Sequence, residues 1–166
     1  MDTPLPTTIL LVNQADQAFF GPAWHGPCLL PTLRKLRVSE ALKVSPFEGY
    51  TAWGVALHTG YWKYRGLVLL AKASGGAVEK PERFFRGPAD WPSFPDQTDE
   101  AAWKQDVEHL VEVHLAWKAG LAAFPAELWD QPVRSDGTTA AAVAFGVAAH
   151  DLYHTAQIRN MGVKGF

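Results

Sequence analysis

The stretch from Glu100 to Phe124 constrains this chain more than any other. Trp103, Val107, Leu110, His114, Trp117, Leu121 and Phe124 recur at the 3.6-residue period of an α-helix and fall on one stripe. A strand would send successive side chains to opposite faces, so the pattern asks for a long helix with this stripe turned to a core. The stripe carries His114 inward and leaves His109 on the flank or in solvent. Pro125 ends the segment, and Thr98 and Asp99 are candidate N-caps at its start.

Three more segments have helical character. The first covers about Thr7–Phe20 and stops at Gly21-Pro22, with a short continuation at Cys28–Leu36. The next covers about Thr51–Ala73 and stops at Gly75-Gly76. The last covers about Thr138–Met161 and follows the turn signal of Ser135–Gly137. No run alternates as a half-buried strand does. Four such helices predict an all-α fold, a four-helix bundle in a single domain of residues 1–166. Between the second and third long helices lies an irregular connection of about residues 74–98, rich in proline and glycine. A structureless connection this long usually covers something. It is expected to be a strap pinned by Phe84, Phe85, Trp91 and Phe94, and a lid over a pocket, with Trp91 as a pocket wall.

Composition narrows the function. With 15 basic and 17 acidic residues and no basic face or run, nothing points to nucleic acid. No stretch approaches the roughly 20 apolar residues that span a bilayer, and the first residues lack a signal peptide's basic start and long apolar core. Cys28 is the lone cysteine, which fits a reducing, cytoplasmic setting. It is expected to be a small buried residue and not a nucleophile.

The last helix holds the chemistry. Its sequence, "TTAAAVAFGVAAHDLYH", is apolar nearly all round, so it should be covered on more than one side. Val143, Gly146, His150, His154 and Gln157 share one face, and Ala141, Phe145, Ala148 and Leu152 the opposite one. Small residues on both faces suit a subunit interface on one of them. His150 and His154 stand at i and i+4, so their rings project together and two neutral imidazoles can bind one metal ion. Two imidazoles in so apolar a helix need polar partners, and Gln157 offers a donor on the same face.

An acid directly after the first of two such histidines resembles a zinc-protease helix, in which glutamate is the general base. Here Asp151 takes that place, one methylene shorter, and no His, Cys, Asp or Glu follows His154 in this sequence. A third ligand is therefore expected upstream. His58, mid-helix among apolar residues, is the first candidate and His114 the second. A di-iron bundle is disfavoured, because no glutamate lies three residues before any histidine.

Three blocks in order, "AWHGPCLLPTL" (Ala23–Leu33), "AWGVALHTGYWKYR" (Ala52–Arg65) and "HDLYHTAQI" (His150–Ile158), closely resemble the DinB-like (DinB/YfiT) family. "DWP" at Asp90–Pro92 and "AAWKQDVEHLVEVH" at Ala101–His114 fit it too. One departure is Ala156, where many members carry glycine. The resemblance implies an up-down-down-up bundle with one long crossover, often a homodimer. It also implies a divalent ion, nickel or zinc, held by His58, His150 and His154 with other positions open to water or substrate. The implied activity is a metal-dependent thiol S-transferase acting on a small molecule with a low-molecular-weight thiol. A metal-dependent hydrolase and a non-catalytic, metal-binding stress-response protein are the alternatives.

Other residues carry weaker expectations. Asp151 is turned about 100° from His150 on an ideal helix, which suits an outer-shell or surface role. Tyr153 is expected to pack in the core. Trp62 and Arg65 lie on the His58 side of their helix, and Arg65 is expected to form a surface or interhelix ion pair. His25 is expected to cap or brace the turn into the short helix. The tryptophans should mostly be core.

Overall fold

The computed structural model describes residues 6–46 and 48–161, so the expected domain limits, residues 1 and 166, lie outside the described residues. All regular structure among the described residues is helical: α1 (Pro6–Phe19), α2 (Leu29–Arg34), α3 (Val38–Ala41), α4 (Ala52–Ala73), α5 (Glu100–Ala123) and α6 (Ala140–Asn160). A single 3-10 turn at Ala126–Leu128 follows α5. The short α3 and this turn had no signal strong enough to mark them in the sequence. None of the helices is long and apolar enough to cross a membrane, among the described residues.

The helix starts are set by side-chain caps. Thr51, Asp99 and Thr139 each accept a hydrogen bond from the backbone N–H three residues on, at Gly54, Ala102 and Ala142. Each such cap contributes about 1 kcal/mol. At the far end of α4 the chain turns out through Gly75 and Gly76, both at positive φ (63° and 95°), a conformation that a side chain would resist.

Four long helices form the bundle, each packed on two others: α4 and α1 both pack against α5 and α6. Register gives their directions. Trp53 meets Trp103, Gly60 meets Leu110 and Gly66 meets Trp117, so α4 and α5 run parallel. His58 meets His154 and Lys63 meets Asp151, while Gly66 and Leu69 share a cavity with Val143, so α6 runs antiparallel to α4. Asp16 meets Lys118 and Thr8 meets Trp129, which turns α1 against α5. The order is the expected up-down-down-up. A β-carbon at Gly66 would come within 2.7 Å of the Trp117 ring, so glycine there is what lets α4 and α5 approach.

The core has two apolar halves. One gathers Phe19, Leu29, Leu33, Trp53, Leu57, Trp103, Leu110 and Ile158; the other gathers Leu11, Leu67, Leu70, Trp117, Leu121, Trp129 and Ala144. Between them every long helix contributes polar groups at the same level: Asp16 from α1, His58 and Lys63 from α4, His114 from α5, and His150, Asp151 and His154 from α6. The bundle therefore has a polar waist.

The predicted α5 stripe is buried along its whole length. The faces of α6 need correcting. Its buried strip is Ala140, Ala144, Val147, Ala148, Asp151, His154, Thr155 and Ile158, so Phe145 faces solvent and Ala148 faces the core. Tyr153, expected in the core, is 60% exposed. A helix apolar all round has no contrast from which a phase can be read. Four tryptophans are buried as expected, but Trp24 is 92% exposed.

Candidate metal centre

The connection from Ser74 to Asp99 runs back along the bundle and crosses the waist. Its anchors are specific. Arg86 forms a two-pronged ion pair with the buried Asp106, which also accepts a hydrogen bond from Trp53 Nε1. Tyr61 donates its hydroxyl to Pro88 O at 2.8 Å, and Phe84 is buried. These hold Asp90 and Trp91 over α4. Trp91 stacks on the His58 ring, with centroids 4.1 Å apart and planes 8° from parallel, and Tyr50 stacks on its other face at 3.8 Å. Trp91 thus covers the face of a ligand candidate and is not the expected wall of the neighbouring cavity.

Beneath it, α4 and α6 bring three imidazoles together. His58, His150 and His154 place one nitrogen each within 4.8 Å of one another. His150 Nε2 lies 3.2 Å from His58 Nε2 and 2.9 Å from His154 Nε2. The outer nitrogens decide what the inner ones are. His58 Nδ1 donates to Asp90 O at 2.8 Å, with the Asp90 carboxylate 3.2 Å away. His154 Nδ1 donates to Gln157 Oε1 at 2.6 Å. Gln157 therefore acts as an acceptor and not the expected donor. With their protons committed outward, both inner Nε2 atoms present lone pairs.

Those lone pairs point at a third nitrogen. A proton on His150 Nε2 can satisfy one neighbour only, and His150 Nδ1 is buried with no partner among the described residues. A cation satisfies all three at once. Nitrogens held about 2.1 Å from a tetrahedral zinc ion stand roughly 3.4 Å apart, close to the separations here. The donor set fits a divalent ion, with Asp90 and Gln157 as the outer partners that orient metal-bound histidines. Electrostatics agree. Burial, with the neighbouring His154 and His58, holds His150 down to about 3. Burial also holds His154 down to about 4, although the Gln157 bond works against it. Both rings are neutral at ordinary pH, the state that coordinates.

The other half of the waist closes on itself. Asp151 is 1% exposed and forms a buried ion pair with Lys63, whose ammonium also lies 4.9 Å over the Phe19 ring. Burial pushes the lysine down and the carboxyl up, and each partner opposes the other's shift. Asp151 thus has neither an outer-shell nor a surface role. The 100° offset from His150 turns it into the bundle, and the sequence did not mark Lys63, a cation mid-helix in "YWKYR", as its partner. His114 is fully buried, stacks on Phe19 and donates to Asp16 from Nε2 at 3.2 Å. It serves α1 and not the triad. Burial holds it down to about 3.

A cavity of about 530 Å³ opens beside the triad between α4 and α6. His58, Asp90 and His150 line it together with Trp62, Gly66, Leu69, Val143, Gly146 and Val147, and Arg134, Asp136 and Thr138 complete it. The last three come from the stretch that the sequence marked only as a turn. Arg65 is exposed and does not line this cavity; among the described residues it makes no ion pair. His25 does not cap α2, whose N-cap is Cys28; it borders a separate groove against Leu152, Thr155 and Arg159. Cys28 is buried, as expected, and burial raises its thiol pKa.

Compared with known proteins, residues 28–158 match the model of the DinB superfamily. No curated protein and no solved structure matches the chain.

Proposed function

The chain belongs to the DinB superfamily, and from that premise we propose that it is a metal-dependent thiol S-transferase, holding one nickel or zinc ion on His58, His150 and His154. The observation that carries the metal is the convergence of three Nε2 atoms whose tautomers are set from outside by Asp90 and Gln157. Three neutral ligands leave a divalent ion its full charge and an open position, so it supplies Lewis acidity and lowers the pKa of a thiol or water brought to it.

The protein's own residues do the rest. Asp90 and Gln157 hold the ligand rings in place. Trp91, braced by Tyr50, keeps solvent off one face of His58. The cavity walls from Trp62 to Val147 are mostly apolar and take a small molecule against the open side of the site. A thiol suits such a place, since a soft sulfur ligand needs few hydrogen bonds. Hydrolysis is the second reading, favoured by the Asp90 carboxylate, which lines the cavity beside His58 and could serve as a base.

Elemental analysis of protein purified without a nickel resin tests the first step. About one ion per chain is expected, falling to background in His58→Ala; background levels in both remove the metal reading. Thermal shifts with a panel of cellular thiols test the second. A thiol that stabilises only the metal-loaded protein supports the transferase. Ester or amide cleavage without thiol response supports the hydrolase. Ion uptake with neither marks a metal-binding protein without turnover.

A homodimer in the cytoplasm completes the proposal. Ala142, Phe145, Ala149 and Tyr153 form an exposed, largely apolar line on α6 that suits a second copy. Light scattering of the wild type and of Phe145→Glu checks it: a dimer that becomes a monomer is expected, and a monomeric wild type sinks the idea.

A further inference from the structure

The cavity beside the triad is not uniform along its length. His58, Asp90 and His150 mark one end. Moving from His150 back to Val143 on α6 covers seven residues, about 10 Å of helix at 1.5 Å per residue. Over that distance the walls are Trp62, Leu69, Val143 and Val147, with Gly66 and Gly146 presenting no side chain. Beyond Val143 the lining becomes polar again at Arg134, Asp136 and Thr138, just before the start of α6.

That far end is an organised turn. Asp136 Oδ1 accepts from both the backbone N–H and the hydroxyl of Thr138, and its Oδ2 accepts from Arg134 Nε at 3.1 Å. Both carboxylate oxygens are engaged within the turn. The guanidinium is held by its Nε edge alone. Its two terminal amino groups make no hydrogen bond among the described residues, yet the residue lines the cavity. At the histidine end the Asp90 carboxylate stands against His58. The uncommitted charged donors of the cavity are therefore those of Arg134, and a planar guanidinium fork matches carboxylate, sulfonate or phosphate oxygens.

We propose that Arg134 anchors the anionic end of the substrate. The site then takes an elongated small molecule with a metal-binding head at the histidines, an apolar middle about 10 Å long, and a carboxylate, sulfonate or phosphate beyond it. Asp136 is a positioning residue that fixes the guanidinium. The inference rests on the triad being the metal centre for the placement of the head group, but not for the anion site itself.

The test is a calorimetric titration with ω-mercaptoalkanoic acids of increasing chain length, and with the matching mercaptoalkane sulfonates, mercaptoalcohols and mercaptoamines. It is run on zinc-loaded and on chelator-stripped full-length protein. In both forms the acid or the sulfonate should bind about tenfold tighter than the alcohol of equal length, and in the zinc-loaded form affinity should peak at a chain that spans more than about 10 Å. Arg134→Gln should reduce that preference to less than about twofold, Arg134→Lys should keep part of it, and Asp136→Asn should lower it. Arg134 is half-exposed, so these variants should melt like the wild type. Equal affinity for acid and alcohol, tighter binding of the amine, a preference untouched by Arg134→Gln, or no binding by any member overturns the proposal. If zinc is not retained, the metal reading fails, while the acid preference of the stripped protein still decides the role of Arg134.

Discussion

Two polar clusters tie α4 to α6 side by side, and they are built in opposite ways. Lys63 and Asp151 are complementary: one donates, the other accepts, and both are sealed from water. His58, His150 and His154 are alike. Their inner nitrogens face one another, and one outer nitrogen lacks any partner among the described residues. The contrast shows that burial of a polar group does not by itself mark function. A group that finds its complement inside the protein belongs to the architecture. Lone pairs turned toward each other call for a third party.

The largest effect should come from breaking the complete cluster. Asp151→Ala strands a buried ammonium and should cost about 3–5 kcal/mol in urea unfolding. The protein's ion content should stay unchanged. Lys63→Met with Asp151→Leu should recover most of the loss, because an apolar pair of similar volume often replaces a buried ion pair. If Asp151→Ala left stability unchanged and lowered the ion content instead, the division between the clusters would collapse.

The incomplete cluster should respond in the reverse sense. Zinc at one hundred times its Kd should stabilise the wild type by about 2.7 kcal/mol, and His150→Ala should abolish that gain while changing the metal-free protein far less. Thermal melts with and without zinc read both quantities. Next in size is Gln157→Leu, which removes the acceptor that orients His154. Loss of such an outer partner typically weakens metal affinity 10–100-fold, about 1.4–2.7 kcal/mol, measurable by competition with a chelator dye.

The effect of pH is gradual. His150 and His154 sit near 3 and 4 in the folded protein, below the unfolded value of about 6.5. Between those limits the unfolded chain binds more protons, so metal-free stability is complete above about pH 6.5 and falls as the pH drops toward 4. One proton corresponds to a slope of at most about 1.4 kcal/mol per pH unit, and solvent near the half-buried His150 keeps its share lower. Unfolding curves across this range should be shallower in His150→Ala. A residual slope belongs to His154 and His114, which are also held neutral.

Much of this was legible from the residues. The α5 stripe gave both period and phase, and each member is buried. Asp99, one of two candidate caps, is the N-cap of α5. The i, i+4 pair and the mid-helix His58 pointed to the residues that the structure brings together. What escaped has a common cause. Asp151 and Tyr153 were misplaced because α6 is apolar all round, leaving orientation to tertiary packing. Lys63 needed a partner 88 positions away to make sense of it. Arg134, Asp136 and Thr138 read as a turn, and local turn chemistry is silent about which cavity the turn borders.

The parallel course of α4 and α5 has one more consequence. After the 22 residues of α4 the chain must travel back about 33 Å before α5 can begin. Topology therefore forces a length of chain across the histidines, whatever its sequence. Apart from anchors such as Val78 and Phe84, which are buried, that length answers to neither helical period nor interhelix packing. Connectivity separates the part of the protein that carries the three histidines from the part that covers them. Substitutions in the strap can therefore retune access while the four helices stay as they are.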